Sequence, residues 1–306
     1  MLFRNYLFFF LIFNLVSCVT KENNSKISIC VTGDLLMDRG VRKIISINGV
    51  AHLFADVSTT FVNSDFTIAN LECPVTKIIQ PVNKRFIFRA EPEWLPYLSH
   101  AGITHLIMAN NHTYDQGRQA LQQTYENILE NNMIPIGAGN THITACKPII
   151  MQNNSLSVAV FSSVVLGLEN WTFLPSEFSV CQKSPEELAD DILLYHKQNP
   201  SSKILVILHW GVEYQSIPTI TQRNQARKLI NAGADAIVGH HPHVIQQMEW
   251  IENKPVYYSI GNFVFDSTRP EAKKGLILKL VFDAQNLKIE EFPFKIQNCK
   301  PFLQKN

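Results

Sequence analysis

From Ile27 onward the chain is a succession of short apolar runs, each breaking off at a cluster of polar residues. Ile27–Asp34 alternates and then turns, which predicts a first strand delivering Asp34. Phe66–Glu72, Ile103–Ala109, Lys203–Leu208, Ala234–Val238 and Val256–Ile260 predict five more buried strands. Between them lie stretches with helical spacing. Val41–Ile47, Pro92–Ala101, Gln116–Asn131, Ser184–Asn199 and Thr221–Ala232 predict helices, Ser184-Pro185-Glu186-Glu187 reading as a capped start. Lys84–Arg89 alternates and predicts a short strand offering Arg85 or Arg89 on one face. Lys147–Met151 and Leu156–Ser162 predict a hairpin around Asn153-Asn154, and Gly275–Phe282 with Leu287–Phe294 an antiparallel pair. Leu166–Val180 has no period and reads as an irregular loop over the site. Strands alternating with helices define an α/β protein, and no linker divides residues 27–300.

What ends these strands is chemically uniform. Asp34, Glu72, Asn111, His209, His241 and His243 come from five loops at what should be one edge of the sheet structure. Oxygen and imidazole donors without a thiolate suit Mn, Fe(II) or Zn. Six donors exceed the needs of one tetrahedral ion. They suit two ions ~3.5–4 Å apart, which orient a water, lower its pKa and clamp the oxygens of a displacement. In Gly239-His240-His241-Pro242-His243 either His240 or His241 can take the ligand role. An i, i+2 pair in extended backbone projects to one side, which favours His241 with His243. His112, next to Asn111, is placed to protonate a leaving oxygen, with Asp115 either orienting its ring or capping the following helix. Arg39 is a candidate carboxylate or phosphate clamp, or a surface ion pair. Glu213 reads as a supporting partner or base, and Asn262 as a group that bonds a ligand or orients a histidine. Trp210 and Tyr214 either wall a pocket or pack.

Composition narrows the partners. The 306 residues carry 27 Lys and Arg against 26 Asp and Glu, a balance that gives no support to nucleic-acid binding through bulk charge. The six cysteines contain no C-x-x-C pair, and their spacing predicts no disulfide framework; Cys30 reads as a small buried hydrophobe. The N-terminus is a separate unit. A basic start, the apolar run Tyr6–Phe13 and Leu15-Val16-Ser17-Cys18 have the layout of an export signal, residues 1–18, followed by a polar tether, residues 19–26. Leu-Val-Ser-Cys resembles the bacterial lipobox. This predicts an exported lipoprotein anchored to the membrane of the cell envelope, with at least one of the five remaining cysteines free.

Taken together, Gly33-Asp34 with Met37 and Arg39-Gly40, Asn70-Leu71-Glu72, Asn110-Asn111-His112, His209–Tyr214, Gly239–His243 and Tyr258–Phe263 resemble the CapA family of capsule and poly-γ-glutamate synthesis proteins. The motifs run in order over roughly Ile27–Asp266. The resemblance implies a calcineurin-like metallophosphoesterase fold, two β-sheets sandwiched between helices. In that superfamily the matching positions ligate metal, which implies that role for Asp34, Glu72, Asn111, His209 and two of the clustered histidines, and a general-acid role for His112. Three departures are visible. Asp34-Leu35-Leu36 lacks the histidine of the superfamily's Asp-x-His, Glu72 replaces an aspartate, and the last loop is Gly-His-His-Pro-His.

Two functions follow as expectations. One is an exported metal-dependent hydrolase acting on a phosphoester, or on an amide or ester of an anionic surface polymer. The other is a non-catalytic subunit of a polymer synthesis or export complex, meeting membrane synthase subunits and holding an acidic chain through the metal or through Arg39 and Arg85.

Overall fold

The computed structural model describes residues 26–153 and 156–304; the expected export signal and lipobox, residues 1–18, and residues 19–25 of the expected tether lie outside the described residues. Two sheets face each other across a shared apolar layer. The first runs in the order Lys300–Leu303, Leu287–Gln297, Lys274–Phe282, Ile27–Leu35, Phe66–Leu71, His105–Ile107 and Ile134–Ile136, with Asn262–Val264 joining Ile27–Leu35. The second runs Glu249–Ile251, Lys254–Tyr257, Ala236–His240, Lys203–His209, Leu156–Val164 and Ile149–Asn153.

Alternation along the strands explains the layers. Ile27, Ile29 and Val31 point between the sheets, where they meet Val158, Val160, Leu205, Ile207 and Val238, while Cys30 points to the other face. That outer face is covered by Gly40–Asn48, Leu95–His100 and Gly117–Glu130 through Val41, Ile45, Leu95, Leu98, Leu121 and Ile128. On the far side, Pro185–Gln198 and Ile220–Asn231 cover the second sheet through Leu188, Ile192, Ala226 and Leu229. Both helices start in capping boxes, Ser184 with Glu187 and Thr219 with Gln222.

The central strands of both sheets are parallel, so their C-terminal ends lie at one edge. Asp34 is in register with Asn70 on one side and Asn262 on the other, and His209 with His240. Two glycines let these strand ends approach. A Cβ on Gly33 would sit 1.9 Å from the Gly261 carbonyl oxygen, and one on Gly239 2.0 Å from that of Tyr258.

Three expectations are corrected. Lys84–Arg89 forms no strand; it is an irregular loop meeting the fold at the Val75–Ala90 bridge, because its polar groups turn inward to bond Asp115, Asp38 and Glu91. Arg89 is taken up by Glu91 and the Thr76 carbonyl, whereas Arg85 stays exposed, resting on exposed Phe86. Cys146 and Cys181 form a disulfide, their Cα atoms 4.8 Å apart although 35 residues separate them, a proximity that spacing alone could not show; among the described residues Cys30, Cys73 and Cys299 stay free.

Candidate metal centre

The six predicted ligands do meet. Asp34, at the end of Ile27–Leu35, accepts a 2.8 Å bond on Oδ1 from Asn70 Nδ2 and has His243 Nδ1 3.2 Å from Oδ2. Glu72 follows Phe66–Leu71 directly and lies 3.6 Å from His243 Nε2. His209 closes Lys203–His209, with Asn111 Oδ1 2.9 Å from Nε2 and the His241 ring centroid 4.9 Å away. His241 and His243 rings are 6.0 Å apart. Asp34, Glu72 and His243 can place one ligand atom each within 4.8 Å of one another, and so can Glu213, His241 and His243. The two triads share His243, and exposed Glu213 lies at the rim within reach of His241 and His243.

His240 is turned away. Its Nε2 lies 2.9 Å from the Thr32 carbonyl oxygen, tying the two sheets together. His241, not His240, stands beside His243, but not through extended backbone: their φ angles are 97° and 58°, so a left-handed loop brings the rings together. Asn262 orients His243, with Oδ1 2.9 Å from Nδ1. This leaves His243 Nε2 on the side of Glu72.

Several buried polar atoms have no partner. Asp34 Oδ2, both oxygens of Glu72 and His241 Nδ1 are fully buried without a hydrogen bond, whereas buried Asp115 nearby has both its oxygens bonded. Orphaned polar atoms of this kind cost ~1–3 kcal/mol each unless a group from outside the chain binds them. Oxygen and imidazole donors at this spacing fit a divalent ion of the Mn, Fe or Zn kind. Asp34, Glu72, Asn111, His209, His241 and His243 would hold it, with Glu213 at the rim. Leu36, at the position where the resemblance implied a histidine, is wholly buried in the helix-side core and offers no donor.

The charges show the same balance. Burial opposes ionisation of Asp34, but the close contact and charge of His243, with His240 and Asn70, outweigh it and hold this carboxyl below the usual range. Glu72 is pushed well up, by burial and then by the Asp34 charge. His243 is disfavoured as a cation by burial, yet Glu72 and Asp34 raise it to about 10. His241 falls to about 3 through burial and the His243 charge, and His209 falls well below its usual value through burial and the neighbouring histidines. Asp34 and Glu72 thus favour the cationic form of the one imidazole between them, the position a cation would take over.

Beside this cluster His112 Nδ1 lies 2.8 Å from Asp115 Oδ2. Asp115 does not cap the helix; Gln116 occupies that position without a side-chain bond. Instead Asp115 accepts from Lys84 Nζ at 2.8 Å and from the Phe88 amide at 2.8 Å. Lys84 also reaches the Asn111 carbonyl oxygen at 2.5 Å, and its side chain is only 4% exposed. Burial lowers His112, partly offset by Asp115. Lys84 is not marked by the sequence, nor are Asn70 and Asn110 as structural links, though their amides join the first three loops: Asn110 Nδ2 donates to Asn70 Oδ1 at 3.1 Å and to the Leu71 carbonyl at 2.9 Å. Asparagines at strand ends were the available signal. For Lys84 there was none, since nothing in an exposed-looking loop marks a lysine as buried.

Arg39 lies past the Asp34 loop, ion-paired with Asp266. Trp210 is core, its Nε1 bonding the Tyr258 carbonyl at 2.9 Å. Tyr214 faces the His243 ring at 6.0 Å.

Two facing sheets with this ligand edge define a metallophosphoesterase-like fold, and solved structures share it. The NAD nucleotidase of Haemophilus influenzae superposes with a TM-score of 0.55 at 13% identity, over 89% of this chain and 56% of that one. A 5'-nucleotidase precursor of Thermus thermophilus gives 0.53 at 15%, over 91% and 54%. The chain belongs to the bacterial capsule synthesis protein family PGA_cap, whose sequence model matches residues 28–267. It is 31% identical over 297 residues to the capsule biosynthesis protein CapA of Bacillus anthracis, covering 94% of this chain and 71% of that protein. To the PGA biosynthesis protein CapA of Bacillus subtilis (strain 168) it is 32% identical over 251 residues, covering 81% and 66%.

Proposed function

We propose that the protein is a metal-dependent hydrolase of capsule or poly-γ-glutamate synthesis, cleaving a phosphoester or a polymer amide or ester outside the cytoplasm. The observation that carries this is the pairing of orphaned ligands with a buried acid relay: Asp34, Glu72 and His241 await a cation, and His112 stands next to Asn111 on the Asp115–Lys84 support. The nucleotidase names of the fold's solved neighbours lend support to a divalent metal. A bound divalent ion supplies Lewis acidity and a water acidified to near neutrality. The chain's own residues do the rest. His112 holds a proton for the leaving oxygen. Asp115, fixed by Lys84 and the Phe88 amide, orients the ring by accepting from Nδ1–H and favours the imidazolium, whose second proton, on Nε2, is the one given to the leaving oxygen. Phe88, 4.3 Å from the His112 ring, shields that face from water.

Export and a lipid anchor at Cys18 belong to the same proposal. The Cys146–Cys181 disulfide supports it, since such bonds persist in oxidising compartments. Among the described residues no helix is long and apolar enough to cross a membrane, so the anchor rests on the N-terminal segment alone.

The missing donor at Leu36 favours a second reading, a metal-stabilised subunit that holds acidic polymer for a membrane synthase without cleaving it. The two readings separate on Mn-loaded protein assayed with phosphodiesters, phosphomonoesters and poly-γ-glutamate. Hydrolysis lost in His112→Ala, with metal content intact, supports the enzyme. No turnover on any of the three removes it.

A further inference from the structure

Directly beside the metal centre lies a cleft of about 320 Å³ lined by Arg39, Tyr214, Phe265, Asp266, Thr268 and Arg269. Its inner wall is the back of the ligand cluster: the Phe265 ring is 4.9 Å from the His243 ring, and the Tyr214 amide donates to the Pro242 carbonyl at 2.8 Å. Two guanidinium groups stand on aromatic faces here. Arg39 lies 5.0 Å from Phe88 and 5.5 Å from Phe265, and Arg269 4.1 Å from Tyr214. We infer that this cleft is a carboxylate-binding subsite, which grips a free pendant carboxylate of an acidic polyamide while a neighbouring bond of the same chain reaches the metal centre.

Two features point to a carboxylate, and a third marks the cleft as a ligand site. First, each arginine already has one acidic neighbour, Asp266 for Arg39 and Glu271 at 3.6 Å for Arg269. Asp266 is itself held by the Gly40 amide at 2.9 Å, so it anchors Arg39 instead of consuming it. A guanidinium has five N–H donors, and the edge left over suits a single negative charge better than a dianion. Second, the Tyr214 and Phe265 rings offer apolar walls for the methylenes between the carboxylates of a polyamide. Third, Arg39 and Tyr214 have φ angles of 53° and 62°, backbone states that non-glycine residues seldom adopt. Strain of this kind falls on the two residues that carry the cleft's charge and its wall, and strained backbone clusters where side chains are held for a ligand.

The inference rests on the acidic-polymer reading of the proposed function but not on hydrolysis, and the test keeps them apart. Poly-γ-glutamate binding to the full chain is measured by equilibrium dialysis for the wild type, Arg269→Gln, Arg39→Gln, the double variant and Asp34→Asn, with a neutral polyglutamine and inorganic phosphate as competing probes. Expected is roughly a tenfold loss for each arginine, since charge-assisted contacts of partly exposed arginines have about this worth. Asp34→Asn should retain binding while losing metal, and phosphate and polyglutamine should compete poorly. Arg269 is exposed and its removal leaves the fold intact, so a folding failure of Arg39→Gln does not remove the test. Wild-type affinity in Arg269→Gln, or equal binding of polyglutamine, or complete competition by phosphate overturns the subsite. Polymer binding that depends on both arginines, with no turnover of the polymer, of phosphodiesters or of phosphomonoesters, leaves the subsite standing and removes the hydrolase.

Discussion

The two sheets contribute unlike halves to the centre. The first supplies oxygen: Asp34, Glu72 and Asn111 follow three adjacent parallel strands. The second supplies nitrogen: His209 and the His241–His243 loop follow two adjacent strands. Neither half is competent alone. The oxygen half is buried and over-negative, which is why Glu72 is driven up; the nitrogen half is desolvated, which drives His209 and His241 down. A site divided in this way exists only when both sheets are docked, so ion binding reports on the docking as well as on the ligands.

The largest effects should come from removing one donor from each half. Asp34→Asn and His209→Ala should each abolish stoichiometric metal binding, read by elemental analysis, because a preformed cation site that loses a ligand leaves its partner charges uncompensated. Loss in one variant only would show that one sheet holds the ion by itself. Next, His112→Ala should lower turnover by ~10²–10⁴-fold with metal content unchanged, the usual range for a general acid. Lys84→Met should lower kcat by roughly tenfold with KM little changed, since it loosens the Asp115 support without touching substrate; an unchanged kcat would make Lys84 purely structural.

Proton linkage sharpens the comparison further. Against burial, Glu72 and Asp34 raise His243 to about 10, which favours its cationic form without metal, and it must lose that proton to ligate. Metal affinity should therefore rise with pH, by about tenfold per unit from about pH 6 to 8 for one proton displaced, and calorimetry in buffers of different ionisation enthalpy should detect the release. A pH-independent affinity would mean that His243 is not a ligand.

Smaller effects concern the seam. Cys181 donates its amide to the Gly137 carbonyl beside the first sheet and accepts from the Val164 amide in the second, so the disulfide fastens a segment that spans both. Cys146→Ser should cost ~3 kcal/mol, read as a lower denaturation midpoint. The smallest is at Glu91, where the Arg89 bonds, against burial and with Arg42 and Lys77 helping, hold the carboxyl at about 2. A depressed carboxyl stabilises the fold above its unfolded value near about 4.3 and loses that contribution as pH falls toward about 2. For so accessible a cluster the effect should stay below about 1 kcal/mol, read as the difference between wild type and Glu91→Gln in acid titration.

What the sequence disclosed was set by local grammar. Strand ends carrying Asp34, Glu72, Asn111 and the histidines were legible because a period-2 apolar run followed by a polar turn can hardly be anything else. The helix from Pro185 was legible because Ser184 and Glu187 form its cap. Where partners are distant in sequence, legibility ended. Lys84–Arg89 alternates like a strand, yet long-range bonds to Asp115 and Asp38, with the Arg89–Glu91 pair, decide its path. Cys146 and Cys181 meet only once the fold exists. The Asp115 question, cap or orienter, turned on whether a lysine 31 residues earlier would arrive, and a pattern within one helix holds no information about that.

The account stands on two sheets presenting donors to one shared ion. Elemental analysis of the purified, unsupplemented full chain, alongside Asp34→Asn from one half and His241→Ala from the other, tests this most directly. We expect about one or two Mn, Fe or Zn ions per chain in the wild type and a trace level in both variants. A wild type without divalent metal, or a content unchanged in both variants, would contradict it.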